Sequence, residues 1–362
     1  MKKWALIVAL LAPMLMSAQM MMFLNRSTQR VSSVSSFSRA NYTNDVAYFY
    51  GDSITIGYLI TDTNNDFASL LSAQLYMIQK NQGNGGSQIA DDGESGMITA
   101  NDAISPTNVS VWLAGYNDMR YYGSDPAALS DNTAALESLV AWLALPTTQR
   151  LPSYTGITLL GNWGSRSLLG GLEYSRSAGD TAIFSFTGTT LLIGTARAGN
   201  AGIATVVVDG TVSNNYSCLR TAADTFRGIN YSAGLIIFTN LPDSLHTVTF
   251  TAQSASNTFL CWYAGYSTNQ LPKVVLCGTL KMPEFEYQYA GRAPFTNGTD
   301  LAADQYSCAV SNVAATLSAA GLNVKWVPAP VLDTNTDWED PDWTHPNESG
   351  HEKIKNALLN GF

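Results

Sequence analysis

The chain has 362 residues, of which 46% are hydrophobic, 10% aromatic and only 13% charged, and it carries 29 glycines. This composition excludes a disordered chain and a coiled coil, and the length predicts two domains or one domain with a large insertion. The formal net charge of −9 argues against nucleic acid or an anionic membrane surface as the main partner. Sparse charge and many small polar residues are typical of a β-rich extracellular or virion protein.

Residues 1–24 have the features of an export signal. Lys2-Lys3 precede an apolar run that reaches Met16, and Ala18 is the candidate cleavage position. Met16 is a poor fit to the small residue expected two positions before cleavage, and uncharged sequence continues to residue 24, long enough for an uncleaved membrane anchor. A packing segment in an assembly is the third interpretation. The protein is accordingly expected to be secreted or periplasmic, membrane-anchored, or virion-associated, with residues 25–44 as a linker.

The four cysteines allow two disulfides in any of three pairings, and spacing favours none of them. Cys277 and Cys308 are equally compatible with buried free thiols. No Cys-x-x-Cys pair occurs, so no metal site is predicted, and no organic cofactor is implied. The four residues are Cys218, Cys261, Cys277 and Cys308.

Two stretches of the chain alternate predicted strands with predicted helices. The strands are expected at residues 46–50, 109–114, 274–276 and 324–327. The helices are expected at residues 67–78, 127–145, 301–320 and 352–359. This alternation predicts an α/β fold with a parallel sheet covered on both faces, in a first part at residues 45–150 and a second part at residues 269–362.

Between these two parts, residues 151–268 have a different pattern. Short alternating runs recur between turn signals such as Asp209-Gly210, and no helical pattern interrupts them. The segment is therefore predicted to be an inserted all-β sandwich. The expected strands are residues 182–186, 190–193, 204–208, 235–238, 247–250 and 258–263.

Two motifs belong to the first predicted strand and helix. Gly51-Asp52-Ser53 stands where the strand ends, so the Ser53 hydroxyl would lie at the carboxyl edge of the sheet and its N–H at a helix N-terminus. The glycine-rich loop at residues 81–86 lets backbone approach a substrate oxygen. Each motif alone has an ordinary alternative, a tight turn or a flexible connection.

Two further motifs follow later strands. Gly115-Tyr116-Asn117-Asp118 comes directly after the strand at residues 109–114 and would direct the Asn117 amide into the ligand crevice, or cap a helix. Asp342 precedes His345 by three residues, close enough to accept from the imidazole and fix its tautomer.

The chain has two other histidines, His246 and His351. His246 falls at a predicted hairpin edge of the sandwich, and His351 in the last helix, so both are interpreted as structural. Asp340 and Asp337 are alternative acids for His345.

With these four motifs in this order, the chain resembles the SGNH hydrolases, the GDSL esterase and lipase superfamily. The resemblance implies a flavodoxin-like three-layer α/β/α domain, with the insertion resembling jelly-roll modules of carbohydrate esterases and phage-tail deacetylases. It also implies a catalytic triad of Ser53, His345 and Asp342. The implied oxyanion hole consists of Ser53 N–H, Gly86 N–H and the Asn117 side chain, with Gly83 and Gly85 as alternatives to Gly86.

The expected activity is removal of short acyl groups, in particular acetyl, from a polysaccharide. Tyr116 and Trp343 are the expected sugar-stacking residues. A lipase or thioesterase acting on longer chains is the alternative within the class. A glycan-binding adhesin or virion protein with an idle hydrolase domain is the alternative outside it.

Overall fold

A computed structural model describes residues 42–90, 104–152, 155–167, 169, 171–221, 228, 230–267 and 271–362. All of them belong to the larger of the chain's two contact units, residues 39–362. The predicted signal peptide or anchor, and residues 25–41 of the predicted linker, lie outside the described residues. Within the described ranges, no helix has both the length and the apolar character needed to cross a membrane.

The first part of the chain alternates strands and helices. Three of its helices begin at aspartates, because the side chains of Asp52, Asp66 and Asp125 accept from N–H groups of the first turn. Those N–H groups have no partner within the helix, so the caps stabilise its start. The elements are β1 (Val46–Tyr50), α1 (Ser53–Ile56), α2 (Phe67–Leu75), β2 (Ile78–Asn81), β3 (Val109–Leu113), α3 (Tyr116–Tyr122) and α4 (Pro126–Leu143).

The helix predicted for residues 67–78 is wrong at its C-terminal end. Tyr76 has a left-handed φ of 57° and its N–H closes the helix on Ala73, so α2 ends at Leu75 and Ile78 begins β2. β2 is the edge strand of its sheet and Ile78 is half-exposed, so this segment lacks the apolar run of a buried strand.

The described residues between positions 151 and 266 form antiparallel strands. The run predicted as one strand at residues 258–263 is two strands separated at Cys261. The strands are β4 (Leu151–Pro152), β5 (Thr158–Leu160), β6 (Trp163–Arg166), β7 (Leu172–Ser175), β8 (Thr181–Gly188), β9 (Thr190–Ala198), β10 (Ile203–Val208), β11 (Val212–Ser217), β12 (Tyr231–Phe238), β13 (Ser244–Ala252), β14 (Thr258–Leu260) and β15 (Trp262–Tyr266).

These strands form two main sheets, in the orders β11-β10-β13-β8-β5 and β12-β9-β15-β4, beside a smaller sheet β14-β7-β6. Side chains such as Phe184 and Phe250 of the first sheet share a core with Ile193 of the second. The other face of the second sheet packs against α4, where the rings of Trp142 and Trp262 lie 5.3 Å apart.

The second part of the chain completes the parallel sheet. Its elements are β16 (Lys273–Cys277), α5 (Asp300–Ala319), β17 (Val324–Val327) and α6 (Glu348–Leu358). The last helix begins four residues earlier than predicted, because the Asn347 side chain accepts from Gly350 N–H and caps it. Short 3₁₀ turns occur at Thr63–Asn65, Thr147–Gln149, Glu284–Glu286, Ala290–Arg292 and Leu359–Gly361.

The parallel sheet has the order β17-β16-β3-β1-β2. Successive β1 residues point to opposite faces: Tyr48 belongs to the core shared with α4 and α5, and Phe49 to the core shared with α2 and α6. Both faces are therefore covered, which confirms the mixed α/β fold with a parallel sheet. The strand order reverses between β1 and β3, and open α/β sheets bind ligands in the crevice at such a point.

The four cysteines are free thiols. Cys218, Cys261 and Cys277 are buried. Cys308 is exposed on α5, so the interpretation of Cys308 as a buried thiol is wrong. The helical pattern of its surroundings was predicted correctly, but Cys308 lies on the face of that helix that points away from the sheet.

Candidate active site

Ser53 lies at the point where β1 passes into α1, at the carboxyl edge of the parallel sheet. The turn depends on Gly51, whose φ is 141°: a Cβ there would lie 2.4 Å from Thr55 Oγ1 and 2.8 Å from the carbonyl oxygen of Leu113. Asp52 caps α1 through Ile54 N–H, which leaves Ser53 as the first helical residue. Among the described residues, no acceptor is assigned to Ser53 N–H.

The structure brings Ser53, His345 and Asp342 together. His345 Nε2 lies 2.9 Å from Ser53 Oγ, and His345 Nδ1 lies 2.6 Å from Asp342 Oδ2. Asp342 Oδ2 also accepts from the backbone N–H of His345, at 2.9 Å, because the three-residue spacing forms a tight turn. The loop before α6 thus places Asp342 and His345 next to the turn that carries Ser53.

The charge of Asp342 determines the tautomer of His345. Burial alone would raise the pKa of Asp342, but the hydrogen bond and charge of His345, together with the charge of Arg292, lower this pKa to about 2. An ionised carboxylate can only accept a hydrogen bond, so His345 Nδ1 carries the proton and donates a hydrogen bond to Asp342. Nε2 is then the acceptor for the Ser53 hydroxyl, the arrangement of a general base and a serine nucleophile.

Arg292 is a site residue that the sequence analysis missed. Its guanidinium lies 3.1 Å from Asp342 Oδ1 and also donates to the Asp342 backbone carbonyl. Its Nε donates to Glu286 Oε1 at 2.7 Å, and Glu286 also accepts from the Thr344 hydroxyl. Arg292 follows no strand and belongs to no motif, so no local pattern in the sequence indicates that it holds the triad acid.

Tyr116 does not have the role predicted for it. The side chain is only 4% exposed, and its hydroxyl donates to the backbone carbonyl of Thr344 at 2.7 Å. A buried ring offers no face to a sugar. Because Thr344 directly precedes His345, Tyr116 instead supports the loop that carries the histidine.

The glycine-rich loop lies against the turn of Ser53. A Cβ at Gly83 would lie 2.8 Å from the backbone nitrogen of Ile56, so the loop can approach α1 this closely only with glycine there. Gly83 N–H donates to Asn81 Oδ1 and is therefore occupied. Within the described residues, no acceptor is assigned to Gly86 N–H. Of these two glycines, Gly86 therefore has the N–H available for an oxyanion.

Asn117 lies next to the turn that carries Ser53, but its amide already has hydrogen-bond partners. Its Nδ2 donates to Asp52 Oδ2 at 3.2 Å and to the Ser87 carbonyl at 3.1 Å, and its Oδ1 accepts from Arg120 at 3.1 Å. Both amide hydrogens therefore have acceptors in this structure. To serve as an oxyanion donor, Nδ2 must exchange one of these acceptors for the substrate oxygen.

Replacing Asn117 by alanine is expected to lower turnover of an ester about 100- to 1,000-fold, the scale for removing one oxyanion donor. The measurement is kcat for 4-nitrophenyl acetate, with thermal unfolding as the test of folding. Asn132→Ala is the matched control, since it removes another buried amide, one that donates to the Tyr306 hydroxyl on neighbouring helices. Turnover as high in Asn117→Ala as in Asn132→Ala would remove Asn117 from the oxyanion hole.

Aromatic rings lie beside His345 and Asp342. Tyr58, which no motif indicated, is 53% exposed and its ring centre lies 4.8 Å from that of His345. Trp343 is half-buried and packs edge-on against Phe285, which is 59% exposed, with ring centres 5.7 Å apart. Tyr58 and Phe285 therefore present more ring surface to solvent than Trp343, the residue expected to stack on sugar.

Among the described residues, the side chains of the remaining predicted alternatives form no hydrogen bond with the triad. His246 is buried near the start of β13, where its Nδ1 lies 2.6 Å from Asp209 Oδ2. Asp337 is buried and accepts from Ser349 and Lys353 of the last helix. Asp340 is exposed. Among the described residues, no cluster of three or more histidine, cysteine or acidic side chains could hold a metal ion.

His351 is fully buried, and its Nδ1 accepts from the backbone N–H of Phe67 at 3.1 Å. Burial and the nearby charge of His345 lower its pKa to about 4. At a pH between the ordinary pKa of 6.5 and the folded-state pKa of about 4, the imidazole of His351 binds a proton in the unfolded chain but not in the folded chain. His351 should therefore cost about 3 kcal/mol of stability as the pH falls through this window.

The check is urea unfolding of the wild type and of His351→Gln at pH 7 and pH 4.5. Other titrating groups affect both proteins, so the difference between them isolates this residue. The wild type should lose more unfolding free energy than the variant. Equal losses would mean that His351 is charged in the folded protein or accessible to water.

Comparisons with known proteins give structural likeness only, since no family model and no curated protein matches the chain. The porcine torovirus hemagglutinin-esterase is similar at 10% identity and a TM-score of 0.41, over 88% of this chain and 86% of that one. A two-domain esterase active on acetylated mannans, crystallised with mannopentaose, is similar at 12% identity and a TM-score of 0.33, over 63% of this chain and 91% of that one.

A third similar structure is a family 35 carbohydrate-binding module from Clostridium thermocellum. It matches at 14% identity and a TM-score of 0.26, over 33% of this chain and 98% of that one. Likenesses at these identities and TM-scores identify neither the family of this chain nor its activity.

Proposed function

We propose that this protein is a serine ester hydrolase of the SGNH type that removes acetyl groups from a glycan. The observation that carries the proposal is the continuous chain of hydrogen bonds from Asp342 through His345 to Ser53, with distances of 2.6 and 2.9 Å. A buried structural histidine needs no serine hydroxyl on one nitrogen and a carboxylate on the other. The strand order β17-β16-β3-β1-β2, which reverses beside β1, the strand that precedes Ser53, supports the same proposal, since open α/β sheets bind ligands at such a point.

In the proposed reaction, Ser53 Oγ attacks the carbonyl carbon of the acetyl ester while its proton passes to His345 Nε2. The carbonyl oxygen becomes an oxyanion held by Ser53 N–H, Gly86 N–H and the Asn117 amide. When the intermediate collapses, the sugar oxygen leaves and takes the proton from Nε2. Water, deprotonated by the same nitrogen, then attacks the acetyl carbonyl carbon. The bond from that carbon to Ser53 Oγ breaks, Oγ takes the proton from Nε2, and acetate is released.

The aromatic rings around the triad support a glycan as the substrate. Tyr58 lies beside His345 and Phe285 beside Trp343, and both rings are more than half exposed. Sugars stack on such rings through their C–H faces, while an exposed ring gives little shelter to a long acyl chain. The inserted sandwich, which we propose to be a jelly-roll-like carbohydrate-binding domain, would add affinity for the polymer.

The proposal is tested with 4-nitrophenyl acetate, butyrate and octanoate, and by acetate release from acetylated xylan, mannan and pectin. Ser53→Ala gives the background rate. We expect kcat/KM to fall with each longer acyl chain and at least one polysaccharide to release acetate. Preference for octanoate would instead indicate a lipase or thioesterase. Glycan binding without any ester cleavage by folded protein would indicate a binding protein with an idle hydrolase domain.

A further inference from the structure

Arg120 is a buried positive charge that the proposed reaction does not use. It lies on α3, three residues after Asn117, so the two side chains are on the same face of this helix. Arg120 is only 6% exposed. Its Nη1 donates to Asn117 Oδ1 at 3.1 Å, and among the described residues this is the only hydrogen bond of the guanidinium.

The surroundings of Arg120 differ from those of an arginine that only supports a fold. Removing a guanidinium from water is costly, so a buried arginine is normally paired with a carboxylate. In the part of the chain that the structure describes, no carboxylate forms a salt bridge with Arg120. The guanidinium lies instead over the rings of Tyr116 and Phe295, with its central carbon 5.3 Å from each ring centre. The directional contact of this buried charge is therefore with Asn117.

The partners of the Asn117 amide determine which way it points. An arginine can only donate, so the atom that faces Arg120 is the amide oxygen. On the other side, Nδ2 donates to Asp52 Oδ2 and to the carbonyl of Ser87, the residue that follows Gly86. When a substrate oxygen replaces one of these two acceptors, the bond from Arg120 to Oδ1 remains. That bond then maintains the orientation in which Nδ2 donates.

We propose that Arg120 is a positioning residue for ester hydrolysis, which holds the Asn117 amide with Nδ2 toward the oxyanion. A charged donor forms a stronger hydrogen bond than a neutral one, and hydrogen bonds in a chain polarise one another. The charge of Arg120 therefore also draws electron density to Oδ1 and makes the Nδ2 hydrogens better donors. The inference rests on the proposed function and deepens it, because Arg120 acts through Asn117 without touching the substrate.

The test is a double-mutant cycle, measured as kcat and KM for 4-nitrophenyl acetate. Arg120→Met removes the donor and the charge, while its thioether packs well against aromatic rings. It should lower kcat about tenfold or more with KM nearly unchanged, because the oxyanion forms only after the substrate has bound. In the Asn117→Ala background the same replacement should change kcat less than about twofold, since the amide is already absent. Arg120→Lys, which retains a charge and a donor, should recover part of the lost rate.

The matched control is Arg150→Met. Arg150 is also only 6% exposed, but its guanidinium donates to Thr147 and lies over the ring of Trp142. This variant should retain the wild-type kcat. Thermal unfolding shows whether each variant is folded. If Arg120→Met does not fold, Arg120→Lys takes its place in the cycle, with an expected loss of about threefold in the wild-type background and none in Asn117→Ala.

Three results would overturn the proposal. The losses from Arg120→Met and Asn117→Ala could multiply in the double variant, as they would if Arg120 only supported the fold. Arg120→Met could raise KM in place of lowering kcat, or Asn117→Ala could itself keep wild-type turnover. A wild type without esterase activity would reject the proposed function and this inference with it. An active wild type with multiplying losses would reject only the role of Arg120.

Discussion

Replacing Ser53 by alanine is expected to lower kcat for 4-nitrophenyl acetate by about 10⁴- to 10⁶-fold, because the hydroxyl that lies 2.9 Å from His345 Nε2 is removed. Binding and the oxyanion donors remain, so a small residual rate above water should persist. The methyl group fits where the hydroxyl was, and thermal unfolding should stay near that of the wild type.

The matched control is Ser69→Ala. Ser69 lies in the first turn of α2, where its hydroxyl bonds to Gln79 and contacts no triad residue. This variant should retain wild-type turnover. If Ser53→Ala kept most of the activity, ester cleavage would occur at another nucleophile and the triad assignment would be rejected.

Replacing Asp342 by asparagine is expected to lower kcat about 10⁴-fold at pH 7. An asparagine amide can donate to Nδ1, which favours the tautomer with the proton on Nε2, and that nitrogen can no longer accept from Ser53. The variant also removes one of the two carboxylate partners of Arg292, the one 3.1 Å away, and leaves Glu286 as the other. Single-turnover and steady-state rates on 4-nitrophenyl acetate measure the loss.

Asp340→Asn is the control for this variant, since it removes the same charge from an exposed carboxylate two residues away. It should have little effect on turnover. Comparable losses in the two variants would show that negative charge near the loop matters and that the contact with His345 does not.

The parts of the site that the sequence predicted are local in the chain. Gly51-Asp52-Ser53 follows an apolar strand, and Asp342 and His345 are three residues apart, so spacing alone relates each group to its element. Ser53 and His345 are 292 positions apart, and their proximity could be expected only because all four motifs resemble one family. The structure supplies the distances that the resemblance could not.

The supporting contacts were not predictable because they join distant segments without a pattern. Arg292 contacts Asp342 across 50 positions from the end of a short 3₁₀ turn, and Tyr116 contacts Thr344 across 228. A tyrosine after a strand indicates a crevice residue in sequence, and only its burial shows that it supports a loop. Two edge strands, β2 and β11, were not predicted because they are largely exposed and their sequences are polar.

The antiparallel pairing of β4 with β15, in which Pro152 lies opposite Trp262, brings the first and the last strand of the antiparallel region side by side. Deletion of the residues between β4 and β15 would therefore need only a short linker to reconnect the chain. Removing the sandwich would, however, expose the side chains of α4 that pack against it, including Trp142, which contacts Trp262. The chain would therefore be simple to reconnect after such a deletion, but the remaining protein would lose apolar contacts on α4.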